Sequence, residues 1–372
     1  MYATVQDILT LVEKQAPAVL AASWDQVGLQ LGSPRQPVQR LLVALEPTCA
    51  VIQEAVAVGA QLLLTHHPLL FQPVQQLNPD NPQHRPIALA IRHDLAVAAA
   101  HTNLDAAADG LNAYLAQLLG LADSKPLTRT YTEPLLKLTV FVPVGYEDRV
   151  RQAVCQAGAG MIGNYSHCTF QVRGQGTYLP MAGAHPWQGT VAVLHRAAEV
   201  RLEVILPEGL VPTALANLKA VHPYEEVAYD LYPLANGGIS YGFGRIGAWP
   251  RPRPFGEVVA ELKRLFHLER LKITGRPRPQ VQRLAVCGGS GGDLIPQAWQ
   301  QGADLYLTGD VRYHQAVPFA REEMAIIDLG HYATEVLFIP EWGRRLQAYL
   351  QAANLTVAVM VADGDADPFS YL

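Results

Sequence analysis

The sequence is poor in charge, poor in cysteine and free of long apolar runs. Only 16% of its 372 residues are charged, and 28 Lys and Arg stand against 33 Asp and Glu, a formal net charge of −5. Nucleic-acid surfaces show a concentrated basic stripe, which is missing here, so nucleic acid is not an expected partner. Four cysteines, Cys49, Cys155, Cys168 and Cys287, stand apart without a CxxC pair. That spacing argues against a thiolate zinc site and against a disulfide framework. They read instead as small buried residues in a reducing compartment. No run of 18 apolar residues occurs, so no membrane span is expected. The first residues lack a signal-peptide pattern; Val5, Ile8, Leu9 and Val12 fall at helical spacing, and the expected location is cytoplasmic.

What the sequence does contain is an internal echo. Val38-Gln39-Arg40-Leu41 opens an apolar run, and Gly59-Ala60-Gln61-Leu62-Leu63-Leu64-Thr65 follows. Near the other end, Val281-Gln282-Arg283-Leu284 opens a similar run, followed by Gly302-Ala303-Asp304-Leu305-Tyr306-Leu307-Thr308. The valine-to-glycine distance is 21 residues in both copies. Each copy reads as strand, helix, strand, the pattern of an α/β fold with a largely parallel sheet. Functional residues of such sheets gather at the carboxyl ends of the strands.

Two related α/β halves, 1–125 and 244–372, are therefore expected to form a core. Between them, 126–243 breaks the repeat with its own pattern. Strand-like Lys137 to Val142 and Glu199 to Leu206 alternate with helix-like Tyr146 to Ala157 and Val211 to Val221, suggesting a ferredoxin-like α+β insert. Arg251-Pro252-Arg253-Pro254 reads as a stiff connector. His222-Pro223-Tyr224-Glu225-Glu226 reads as a turn into a strand from Val227 to Tyr232.

The strand ends carry the chemistry. Copy one gives His66-His67-Pro68 and then His101-Thr102-Asn103-Leu104-Asp105; copy two gives Gly309-Asp310 and then Gly330-His331-Tyr332-Ala333-Thr334-Glu335. In both copies a histidine precedes a carboxylate by four residues, which places the pair on one face if a helix starts there. A lone HisHis doublet or HisxxxGlu is more often structural. Equivalent positions in two related halves converge if the halves pack about a pseudo-twofold axis. His66, His67, Asp105, His331 and Glu335 then form one metal site, suited to zinc, iron, manganese, cobalt or nickel. Five ligands with two carboxylates exceed what one tetrahedral ion needs, so two divalent ions are expected. His101 is a ligand, an outer partner of the ligands or a catalytic proton shuttle. Asp310 and His314 are weaker candidates for the cleft. Gly288-Gly289-Ser290-Gly291-Gly292 is a candidate phosphate cradle without a P-loop signature.

Taken in order, Trp24-Asp25-Gln26-Val27-Gly28-Leu29, Thr65-His66-His67-Pro68-Leu69, His101-Thr102-Asn103-Leu104-Asp105 and Gly330-His331-Tyr332-Ala333-Thr334-Glu335 resemble the NIF-three-like family, often labelled type 2 homologues of GTP cyclohydrolase I. The resemblance spans essentially the whole chain. It implies a dinuclear centre on the same five residues with Glu335 bridging, a ring-shaped homohexamer, and a PII/CutA-like inserted domain. Gln26 and Glu46 depart from the family's usual asparagine and aspartate. The expected function is that of a metal-dependent hydrolase acting on a nucleotide or phosphoester through metal-bound hydroxide, with GTP cyclohydrolase-type activity one form of it. The alternative is a non-catalytic metal-binding protein: a metallochaperone, store or regulator.

Overall fold

The structure is a computed structural model that describes residues 3–370. It contains two compact units, one built from the two ends of the chain (up to Tyr131 and from Tyr241 onward), the other from Thr132–Ser240.

In the first unit each end of the chain supplies three parallel strands. At the N-terminal end these are Arg40–Ala44, Leu62–Thr65 and Ala96–Ala99; at the C-terminal end, Gln280–Ser290, Leu305–Gly309 and Ala325–Asp328. Leu62, Leu63 and Leu64 are all buried, because a central parallel strand is covered on both faces. Alternate residues then serve different cores. Leu41, Val43, Leu62 and Leu64 share one apolar cluster with Leu284, Val286, Leu305 and Leu307, while Leu42 and Leu63 join the outer helices. The two sheets thus face one common core. Each leucine buried in this way contributes about 1.5–3 kcal/mol. The α/β class expected from the repeat is what the structure has.

The sheets trade their last strands. Ala358–Val361 pairs in parallel with Arg40–Ala44, and Ala122–Pro126 lies antiparallel to Arg245–Pro254 beside the C-terminal sheet. The expected connector 251–254 belongs to that strand, Arg245–Pro254. Pro250 and Pro252 fall where the pairing register with Gln280–Ser290 breaks, between Ala248 and Arg253, a place that tolerates residues without an N–H, and Pro254 ends the strand opposite Gln280.

The second unit has four strands in the spatial order Tyr229–Tyr241, Tyr131–Pro143, His195–Pro207, Thr169–Tyr178, with helices Glu147–Gln156 and Val211–Val221. Leu138, Val140, Leu202 and Val204 close its own core against Val150, Val154, Ala214 and Leu218. His222 ends the second helix; its Nε2 donates to the Phe141 carbonyl (3.1 Å) and its Nδ1 accepts from the Tyr224 amide (3.2 Å). Both ring nitrogens are used in a turn, and the strand begins at Tyr229, not Val227.

Candidate metal centre

The carboxyl ends of the parallel strands in the first unit deliver the donors. Leu62–Thr65 runs into His66 and His67, whose backbone amides donate to the Ala44 and Leu45 carbonyls and so continue the sheet for two residues. Ala96–Ala99 leads to the short helix Thr102–Ala106, with His101 as its N-cap and Asp105 on it. Ala325–Asp328 leads through Gly330, at φ 88°, to the helix His331–Val336. A left-handed residue at this strand-to-helix corner is cheap only for glycine. On that helix His331 and Glu335 sit four apart, with Nε2 of the first 3.1 Å from Oε2 of the second.

The five predicted donors come together. His67 Nε2 is 3.1 Å from Glu335 Oε2 and 3.3 Å from His331 Nε2. His66 Nε2 is 3.6 Å from Asp105 Oδ1 and 3.7 Å from Glu335 Oε1. Glu335 therefore turns one oxygen to His66 and the other to His67 and His331. Metal–nitrogen bonds of about 2.0–2.1 Å in a tetrahedral site set neighbouring donors roughly 3.3 Å apart. His66 Nε2, Asp105 Oδ1 and Glu335 Oε2 are all buried and have no hydrogen-bond partner. Buried polar atoms without a partner are rare because each costs about 1–3 kcal/mol. Lone pairs that converge without hydrogen bonds are what a cation between them would resolve, so the residues fit a metal ion. His101 joins His66 and His67 in a second group of three within 4.8 Å, while His67, His331 and Glu335 form the first.

Each imidazole is held from behind. His67 Nδ1 donates to Glu46 Oε1 (2.6 Å), His331 Nδ1 to Asp310 Oδ2 (2.7 Å), His101 Nδ1 to Asp25 Oδ1 (2.9 Å) and His66 Nδ1 to the Ala100 carbonyl (3.0 Å). None of these acceptors has a proton to give, so each Nδ1 carries a hydrogen, and in the neutral ring each Nε2 is left with its lone pair for a cation. Such partners orient metal-binding imidazoles and raise their basicity. Asp310 sits in the left-handed region (φ 53°), uncommon for a residue other than glycine, where its carboxylate meets His331. Asp25 also accepts from the Thr102 amide and hydroxyl, which ties Trp24-Asp25 to the start of the short helix. Glu46 is set by the C-terminal tail, whose Asp365 carboxylate accepts from the Leu45 and Glu46 amides.

In the absence of an ion the charges compensate poorly. Burial works to raise the Glu335 carboxyl pKa, but His331, His66 and His67 around it outweigh that and hold it well below the usual range. Burial opposes protonation of His67 and His331, yet the neighbouring carboxylates lift them to about 10 and about 9. Asp105 is pushed up to about 7 by burial and by the Glu335 charge. Protons would therefore compete with a cation for these donors.

The glycine segment plays another part than expected. The Gly288, Gly289 and Gly291 amides donate to Asn112 Oδ1, Thr334 Oγ1 and Thr308 Oγ1, each at 2.9 Å. Those N–H groups are committed within the protein and are not available as a phosphate cradle. Gly289, at φ 61°, instead lies against the donors: a Cβ there would overlap Glu335 Oε1 and come within 3.3 Å of His331 Nε2. His314, on the short helix Tyr313–Ala316, is not in either donor group. Of the outer carboxylates, Asp310, a candidate for the cleft from sequence, is found there against His331, whereas the parts of Glu46 and Asp25 emerge only from the structure.

Known proteins resemble the chain along its whole length. The family described as Duf34/NIF3 (NGG1p interacting factor 3) matches residues 3–368. A Halalkalibacterium halodurans protein named GTP cyclohydrolase 1 type 2 homolog is 39% identical over 99% of this chain and 98% of its own length. A Bacillus subtilis protein of the same name is 37% identical over the same shares. The crystal structure of a Bacillus cereus protein related to NIF3 superposes with a TM-score of 0.94 at 38% identity, covering all of both chains.

Proposed function

The chain belongs to the Duf34/NIF3 family, and from that premise we propose that it is a metal-dependent hydrolase holding two divalent ions on His66, His67, Asp105, His331 and Glu335. The observation that carries the reading is the set of buried, partnerless atoms on His66, Asp105 and Glu335. The split of the two Glu335 oxygens between different histidines supports a bridging role. Divalent ions at such a site supply Lewis-acid activation of water at neutral pH.

The protein's own residues then define the substrate side. His331, Asp310 and Glu46 are partly exposed, so the cluster is open on that wall. His101 sits beside His66 and His67 with Nδ1 fixed on Asp25, placed to give or take a proton at its other nitrogen. Trp24 and Phe71, 63% and 53% exposed, set their rings edge-on to His101 at 6.0 and 5.8 Å. Exposed aromatic faces beside the donors suit a flat-ringed substrate, which favours a nucleotide over a simple phosphoester. Assembly into a homohexamer rests on family resemblance, and light scattering checks it.

The test is hydrolysis of nucleoside phosphates and simple phosphoesters by the metal-loaded protein beside Glu335→Gln. Turnover by the wild type that falls at least 100-fold in a folded Glu335→Gln supports the hydrolase. Stable metal with no turnover of any of them would make the chain a metal carrier or store instead.

A further inference from the structure

Away from the histidines, a cavity of about 470 Å³ lies in the first unit between the helices Val5–Gln15 and Ile339–Ala352. Small-molecule sites span roughly 300–1,000 Å³. Leu104, Tyr349 and the stacked pair Phe338 and Trp342 (centroids 6.5 Å apart, planes at 8°) supply its apolar surface. Lys14 and Arg345 bring positive charge to the lining, against one acidic side chain, Asp109. Arg345 is fixed in place: Nη1 donates to the Asp109 carbonyl (2.7 Å), Nε to Glu341 Oε1 (2.6 Å), and the guanidinium lies 5.8 Å from the Phe338 ring.

Two lining residues carry donors without acceptors. The Trp342 indole Nε1 and the Gln15 amide Nε2 are buried and unpaired, and Trp342 is 1% exposed. One such group costs about 1–3 kcal/mol, and two on residues that line one cavity would both be relieved by an acceptor held there. We propose that this cavity binds a small organic anion with a flat ring. The ring lies against the Phe338–Trp342 wall, and the oxyanion accepts from Trp342 and Gln15 beside Lys14. Both donor atoms are closed off from water in the free chain, so binding rearranges the side chains of that wall. The site stands apart from the metal reading, although its wall touches the same elements: Leu104 precedes Asp105, and the Phe338 amide donates to the Glu335 carbonyl at 3.0 Å.

The experiment is calorimetric titration of the full chain with four probes. Benzoate and 5′-AMP combine ring and oxyanion; benzyl alcohol has only the ring and inorganic phosphate only the charge. At least one of the first pair binds at least ten-fold tighter than either half-probe. Binding weakens about ten-fold in Trp342→Phe, which keeps a ring and removes the N–H, and in the surface change Lys14→Gln, while His331→Ala leaves it intact. Absence of binding by both ring-bearing anions overturns the proposal. So does binding lost in His331→Ala but kept in Trp342→Phe, which would place the anion at the histidines. Concentration-dependent protection of the helices Val5–Gln15 and Ile339–Ala352 from hydrogen exchange would also overturn it, since a second copy would then cover the cavity.

Discussion

Gly289→Ala probes the donor cluster without touching a donor. The added Cβ would overlap Glu335 Oε1, and Glu335 is 3% exposed, so its carboxylate has no free space to swing into. Restoring ordinary contact needs a displacement of about 1 Å. Site geometry tolerates only about 0.5 Å, so metal affinity is expected to fall at least ten-fold. Stability falls as well: alanine in the left-handed region costs about 1–2 kcal/mol, and overpacking adds about 1–3 kcal/mol. Gly302→Ala is the control, with φ 71° and nothing within 4 Å of the new Cβ. It carries the backbone cost alone and keeps its metal. The assay is metal affinity by competition with a chelating dye, with thermal unfolding of both variants alongside. Equal metal affinity in Gly289→Ala and wild type, or equal loss in both variants, refutes the reasoning.

The remaining expectations are simpler. Burial works to raise the Asp25 pKa, but hydrogen bonds from His101 and Thr102 outweigh it and hold the carboxyl down to about 2. A lowered pKa gives stability that is present above the unfolded value of 3.8 and lost as pH falls toward 2. Asp25→Asn therefore costs about 2 kcal/mol at pH 7, the carboxylate being closed off from solvent. In acid unfolding followed by circular dichroism, the difference from wild type shrinks steadily below pH 4 and vanishes as the pH falls through 2. Removal of metal with a chelator lowers the thermal midpoint by about 5–10 °C, since ligand at a hundred times its Kd stabilises by about 2.7 kcal/mol. An unchanged midpoint after verified metal removal would count against an ion held among buried donors.

The legible part of this molecule was the part with a period. Equal spacing from Val38 to Gly59 and from Val281 to Gly302 marked two βαβ units, and the family resemblance agreed. His66, His67, Asp105, His331 and Glu335 stood out because each follows a strand end, and the structure brings those ends together. Residues without a local pattern stayed hidden. Asp25 reaches His101 across 76 positions and Glu46 reaches His67 across 21, whereas Asp310, already a candidate for the cleft, lies there as the support of His331. No spacing rule announces a carboxylate in a loop whose partner is set by tertiary packing. The exchanged strands were equally silent, since Ala358–Val361 is too short to say which sheet it joins. The glycine run was visible but ambiguous. Glycine serves a phosphate cradle and a close approach to a buried side chain equally well, and only the committed amides of Gly288, Gly289 and Gly291 decide.

The most direct test of the metal centre is elemental analysis of gently purified protein, wild type beside His331→Ala. Close to two divalent ions per wild-type chain, with clear loss in the variant, is the expected result. No metal in either protein, even after reconstitution, would contradict the convergence of these donors on an ion, and the hydrolase reading would fall with it.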